Sequence, residues 1–176
     1  TSRNYNVYVT ARNSGGMGES VIWKESARST MKAISTLTAS DFAPEPVTNL
    51  QATPNRRDKT VTLTWDPSTL PDTAAGETGI TGEIAYAVYG GTVAEDGSIV
   101  NEMGGKGMSI LGAVRNGATT ITLDAELNKD YVYQIYAYTV CDNTAPTGFE
   151  TVSYMVPVEG GDPTPEQFYG YQSKPS

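Results

Sequence analysis

The stretch YVYQIYAYTVC at 131–141 constrains the fold more than any other. Tyr131, Tyr133, Ile135, Ala137, Thr139 and Cys141 fall on one side, and Val132, Gln134, Tyr136, Tyr138 and Val140 on the other. A period of two in aromatic and β-branched residues marks a strand, because successive side chains point to opposite faces of a sheet. Strands of this kind come in series here. VTNLQAT (47–53) is followed by KTVTLTW (59–65), in which Val61, Leu63 and Trp65 alternate with Thr60, Thr62 and Thr64, as in a strand with one buried face. EIAYAVYGG puts Tyr86 and Val88 on one face, and ATTITLDA and ETVSYMVPV follow further on, the last with Val152, Tyr154 and Val156 alternating. Between them lie DPSTLPDTAAGETGITG (66–82), ELNKD and DNTAPTG, whose prolines, glycines and small polar residues make loops and turns. Residues 92–118 are harder to place: EDGS is a turn signal, SIVNEM a short strand, and GGKGMSILGAVRNG a glycine-broken segment. About seven short strands over roughly 110 residues fit an all-β Greek-key sandwich.

The same alternation opens the chain. Tyr5, Val7, Val9 and Ala11 alternate with Asn6, Tyr8, Thr10 and Arg12, a glycine-rich turn follows, and VIWKE returns, so residues 4–25 read as a hairpin. A lone hairpin is marginal in water and needs further strands. Residues 26–44 read as a connector with room for one short helix: Ala27, Met31 and Ile34 form a weak helical stripe that Thr30, Thr36 and Thr38 oppose. Pro44 and Pro46 then hold the backbone extended. The absence of Met at position 1 and the early strand favour a processed product or a fragment.

Composition limits the chemistry. The chain has no His and one Cys, which removes His-based acid–base catalysis, Ser-His and Cys-His nucleophile pairs and His-containing zinc sites. Twelve Lys and Arg against twenty Asp and Glu give a net charge of -8, which repels phosphate backbones and anionic lipid heads. Nucleic acid and direct membrane insertion are therefore not expected, and no apolar stretch approaches the ~20 residues needed to span a bilayer.

PEPVTNLQAT, TVTLTW, IAYAVY and the run LNKDYVYQIYA together resemble a fibronectin type III domain. The positions that carry the resemblance are Pro46, Trp65, Tyr86 with Val88, and Tyr131 or Tyr133 with Ala137. YNVYVTARNSGG and VIWKE resemble the sixth and seventh strands of the same family, through Tyr5, Val7, Val9, Ala11 and Asn13. The resemblance implies an immunoglobulin-like, fibronectin type III β-sandwich over 45–158. Residues 1–25 would be the C-terminal hairpin of a truncated preceding repeat, 26–44 a connector, and 159–176 a linker or tail. It departs from the family in the long loop after Trp65 and in the glycine-rich region 92–118.

The resemblance also implies a noncatalytic extracellular spacer or interaction module, adhesive contact included, in a secreted or surface-attached bacterial protein. Its partners would be neighbouring domains of the same polypeptide, and a protein or glycan ligand or a strand-exchanged homodimer are further partners it allows. The alternative is a carbohydrate-binding accessory domain of a polysaccharide-degrading enzyme. Its platform would be Tyr89, Tyr136 and Tyr138, beside the small Ala85 and Ala87 on one sheet face. Against that stands a structural role, with these rings packed on residues 1–43 or on Phe168, Tyr169 and Tyr171 of the tail. Glu77, Glu83, Glu95, Asp96, Glu102 and Asp124 supply carboxylates in number, but a small sandwich without a long groove rarely pairs them as a glycosidase does. DPSTLPDTAAGE and EGGDPTPE lack the spaced aspartates of a calcium loop, and GGKGMSILG lacks P-loop spacing. No catalytic residue, metal or cofactor is expected. Trp65 and Cys141 fall on buried parities and read as core residues.

Overall fold

The computed structural model describes residues 4–7, 9–10, 12–15, 22–25, 27–30, 32–35, 37–158 and 160–176. The chain divides into two compact units, Thr1–Thr38 and Ala39–Ser176.

In the first unit β1 (Asn4–Val7) pairs antiparallel with β4 (Lys32–Ser35), from Asn4↔Ser35 to Val7↔Lys32. Inside it, β2 (Arg12–Gly15) pairs antiparallel with β3 (Ile22–Glu25), from Arg12↔Glu25 to Gly15↔Ile22. The two ladders are joined by the Ser29 N–H, which donates to the Val9 carbonyl at 3.0 Å. The Val9 N–H in turn donates to Ser29 Oγ at 3.0 Å, a hydroxyl standing in for a carbonyl. The unit is thus one nested hairpin. Lys32–Ser35, read from sequence as connector, is instead its outermost return strand. Pairing with the edge of β1 outweighs a helical stripe that the β-branched threonines already weaken. The turn residues 16–20 lie outside the described residues.

In the second unit the threonine-striped stretch behaves as its pattern requires. β6 (Thr60–Asp66) buries Val61, Leu63 and Trp65 and turns its threonines outward. It lies between β5 (Thr48–Asn55) and β10 (Thr120–Asp124), antiparallel to both, with the Thr62 and Thr122 hydroxyls 3.0 Å apart. The second sheet is built on β7 (Ile80–Val93), which starts inside the stretch read as loop and pairs with β11 (Tyr131–Cys141) along most of its length. The other edge of β7 is shared. β8 (Ile99–Val100) takes Thr92–Val93, and β9 (Ser109–Val114) takes Tyr86–Gly90, which resolves the ambiguous region 92–118 into two short strands.

The largest difference from the sequence reading lies at the C-terminal end. ETVSYMVPV was expected to close the strand series and 159–176 to be a linker or tail. Instead β13 (Thr164–Gln172) inserts between β11 and β12 (Glu150–Val156), giving the order β12-β13-β11-β7-β8 with β9 also on β7. Gly170 permits the insertion, because a Cβ there would meet the Thr139 carbonyl and Tyr138 Cβ at 3.0 Å. Beyond β13, Ser173 Oγ accepts the Ala137 N–H and Ser176 Oγ the Ile135 N–H, both at 3.0 Å, so hydroxyls continue the pairing along β11.

The two sheets share one core. Val61, Leu63 and Trp65 pack with Tyr86, Val88, Ile135, Ala137 and Val47. On the far side of the larger sheet a second cluster joins Ala85, Ala87, Tyr138 and Val140 to Val152, Tyr154 and Phe168. The sheet curls to make it, bringing β12 against β9. A third cluster seats Phe42, from the short helix α1 (Ala39–Phe42), on Tyr171, Cys141, Ala74 and Ala145. Residues 39–42 are therefore helix, within the stretch read as connector. Among the described residues no helix is long and apolar enough to cross a membrane.

Candidate functional site

The tyrosine face that sequence parity selects does assemble. β11 and β7 place Tyr136 opposite Ala87, Tyr138 opposite Ala85 and Gln134 opposite Tyr89. The small alanines leave room above the sheet, and β12 and β13 fill it. Phe168 meets the Tyr138 ring edge-on at 5.4 Å and Tyr154 at 6.2 Å. Gln172 Nε2 donates to the Tyr138 hydroxyl at 2.6 Å, and the residue is fully buried. Burial, with the neighbouring Tyr89 hydroxyl next in weight, pushes the Tyr138 phenol far above its usual range. Tyr138 is thus a core residue and offers no ring face to a ligand, contrary to its place in the expected platform. Tyr89 and Tyr136 are half-buried and contact each other edge-on at 5.4 Å, and the Tyr136 hydroxyl donates to Gln134 Oε1. Two rings held edge-on do not make the flat surface that stacking on a sugar requires.

Charged groups close the rim of this cluster. The Arg115 guanidinium grips Glu83 in a two-pronged pair, Nε to Oε1 at 2.8 Å and Nη2 to Oε2 at 2.6 Å, and the Asn116 N–H adds a third bond at 3.0 Å. The Arg115 hydrogen bond, opposed by partial burial, holds the Glu83 carboxyl below the usual range. The guanidinium also lies 5.7 Å from the Phe168 ring centre. Nearby, the Tyr154 hydroxyl donates to Glu166 Oε2 at 2.9 Å, and burial foremost raises its pKa to about 12. Glu83, counted among the available carboxylates, is therefore committed to joining strands.

A groove of about 1230 Å³ occupies the end of the unit where β11 begins. Leu111, Leu123, Leu127, Tyr131 and Met155 supply its apolar surface, with Leu127 49% and Met155 53% exposed. Asp58, Glu102, Asp124 and Glu126 line it against Lys59 and Lys129, and Lys129 is held by Glu126 at 2.7 Å. Glu102 and Asp124, two of the carboxylates counted in the sequence, line one groove together. The site is not legible in the sequence because its walls come from six strands, β7 to β12, and from loops far apart in the chain. The apolar residues of the ELNKD turn and of β12 were the available signal.

Trp65 and Cys141 are buried as their parities require. Trp65 packs edge-on against Tyr86 at 5.4 Å, and burial above all raises the Cys141 thiol to about 11, which leaves it unreactive near neutrality. Among the described residues no three or more Asp, Glu or Cys are grouped to hold a metal ion; Glu159 of the stretch EGGDPTPE lies outside them. Comparison with protein-family models and with curated proteins found no match to the chain.

Proposed function

We propose that the chain is a noncatalytic spacer and interaction module of fibronectin type III-like build, from a larger secreted or surface-attached bacterial protein. The observation that carries this reading is the division of strands between the two sheets. β5, β6 and β10 stand as strands A, B and E of an immunoglobulin-like sandwich would, and β7, β11 and β13 as C, F and G, with Trp65 and Tyr86 packed between. β12 is an addition to that plan. The nested N-terminal hairpin suits the last two strands of a preceding repeat.

An interaction role is favoured over catalysis by the chain's lack of His and by a carboxylate, Glu83, consumed in holding strands together. A glycan platform is disfavoured, because Tyr138 is buried under Phe168. Immunoblotting of fractionated source cells with antibody to residues 45–158 tests the reading. A band well above the 18.8 kDa of this chain in the surface or secreted fraction is expected. A soluble intracellular band of 18.8 kDa would count against it.

A further inference from the structure

We propose that the groove beside Tyr131 receives an extended segment of another protein, one that alternates basic and aliphatic residues and adds as a strand to the free edge of β10. This partner deepens the interaction role proposed above and rests on it; peptide binding and the size or location of the parent protein are read separately, so either can fail alone.

β10 ends the three-stranded sheet, with β6 on one side and no strand on the other among the described residues. The Ala125 N–H donates to the Lys59 carbonyl at 2.8 Å and the Trp65 N–H to the Thr119 carbonyl at 3.2 Å, so the odd-numbered residues here turn their backbone groups toward β6. In an antiparallel ladder the alternate residues point theirs away, which leaves Thr120, Thr122 and Asp124 facing outward. Sheet edges are usually guarded by proline, lysine or a bulge. β5, at the opposite edge, carries Pro54 and a register shift between Thr48 and Gln51. β10 carries no proline, lysine or register shift, and its run TITLD is rich in strand formers. The groove begins at this edge, since Thr122, Leu123 and Asp124 line it, and Leu111, Leu127 and Met155 share it as aliphatic surface. An added strand gains affinity from main-chain hydrogen bonds and specificity from its alternate side chains.

The carboxylates decide the sign of the partner. Asp58, Glu102, Asp124 and Glu126 line the groove against Lys59 and Lys129, and Lys129 is held by Glu126 at 2.7 Å. Asp58, Glu102 and Asp124 then outnumber the remaining Lys59. Residues 39–176 carry seven basic residues against eighteen acidic ones, a net -11, so the surrounding field has the same sign as the groove. A basic segment is drawn in and an acidic one is repelled. The same repulsion argues against a second copy of the chain pairing β10 on β10, which would bring two sets of these carboxylates together.

In the test, a fluorescently labelled, end-blocked heptapeptide that alternates lysine with valine and leucine is titrated with the 176-residue chain, and anisotropy is read. Saturable binding is expected, weakened about tenfold by E102K/D124K. E45K/E77K alters net charge equally at exposed positions outside the groove and should weaken binding far less. Thermal melts confirm that each variant folds. N-methylating either the lysine amides or the aliphatic amides should abolish binding for one set alone, because only alternate amides face a neighbouring strand. No saturable binding up to about 1 mM, equal weakening by the two charge reversals, or tolerance of both N-methylations overturns the proposal. So does sedimentation in which the chain pairs with a second copy and E102K/D124K dissolves the pair, since the groove is then a site of self-assembly.

Discussion

Replacing Phe168 with Ala separates an integral β13 from a loosely attached tail. The ring is 4% exposed, meets Tyr138 and Tyr154 edge-on and lies under the Arg115 guanidinium. Truncating a buried Phe to Ala costs about 3–5 kcal/mol through lost transfer energy and the cavity left behind. The aromatic pairs and the cation–π contact place the cost toward the upper half of that range. For a unit of this size, about 4 kcal/mol lowers the melting temperature by roughly 10–15 °C. Urea denaturation followed by near-ultraviolet circular dichroism reads the tyrosine environment and the unfolding midpoint together. Gln167→Ala is the control, since Gln167 is exposed on the opposite face of the same strand and should shift stability by less than about 0.5 kcal/mol. If Phe168→Ala is as mild as the control, the ring does not cover Tyr138 and the placement of β13 is wrong.

Three further outcomes follow from the packing. Gly170→Val forces side-chain atoms onto the Thr139 carbonyl and Tyr138, and should destabilise by about 1–3 kcal/mol in the same urea assay, while Gly161→Ala, whose Cβ would meet only the Val158 side chain at an ordinary 3.5 Å, should cost less. Thr139→Val should be neutral or stabilising by about 1 kcal/mol, because the Thr139 hydroxyl is fully buried with no hydrogen-bond partner among the described residues; a loss above 2 kcal/mol would reveal one. Glu83 has a native pKa held below its unfolded value of 4.5, so the unfolded chain binds the proton more tightly. Its stabilising contribution is complete above pH 4.5 and fades as pH falls through the lower native value. Glu83→Gln should therefore flatten the acid side of the stability–pH curve, and an unchanged acid slope would contradict the pairing with Arg115.

Much of the fold was written in side-chain parity. The stripe Val61, Leu63, Trp65 and the two faces of 131–141 point where the alternation says they should, because a strand buried on one or both faces leaves no freedom of register. β13 was hidden because its alternation is short and carries Pro165, Glu166 and Gly170, residues that read as linker. Gly170 has its meaning only once β11 lies against it. β4 was hidden for a different reason: KAIS has no strong pattern of its own, and its partner lies at Asn4–Val7 across the whole hairpin. The tyrosine face was legible as a surface but not as a buried one, since whether a ring is covered depends on which strand folds over it. The groove was the least legible feature, because Glu102, Asp124 and Met155 meet only through tertiary structure.

The most direct test of this account is a measurement of proton contacts across β11 and β13 by nuclear magnetic resonance. Contacts between Val140 and Gly170 and between Thr139 and Tyr171, ring contacts from Phe168 to Tyr138, and slow amide exchange across the pairing are expected. Random-coil shifts and fast exchange throughout 164–172 would contradict it, leaving the tyrosine face open and returning it to candidacy as a binding surface.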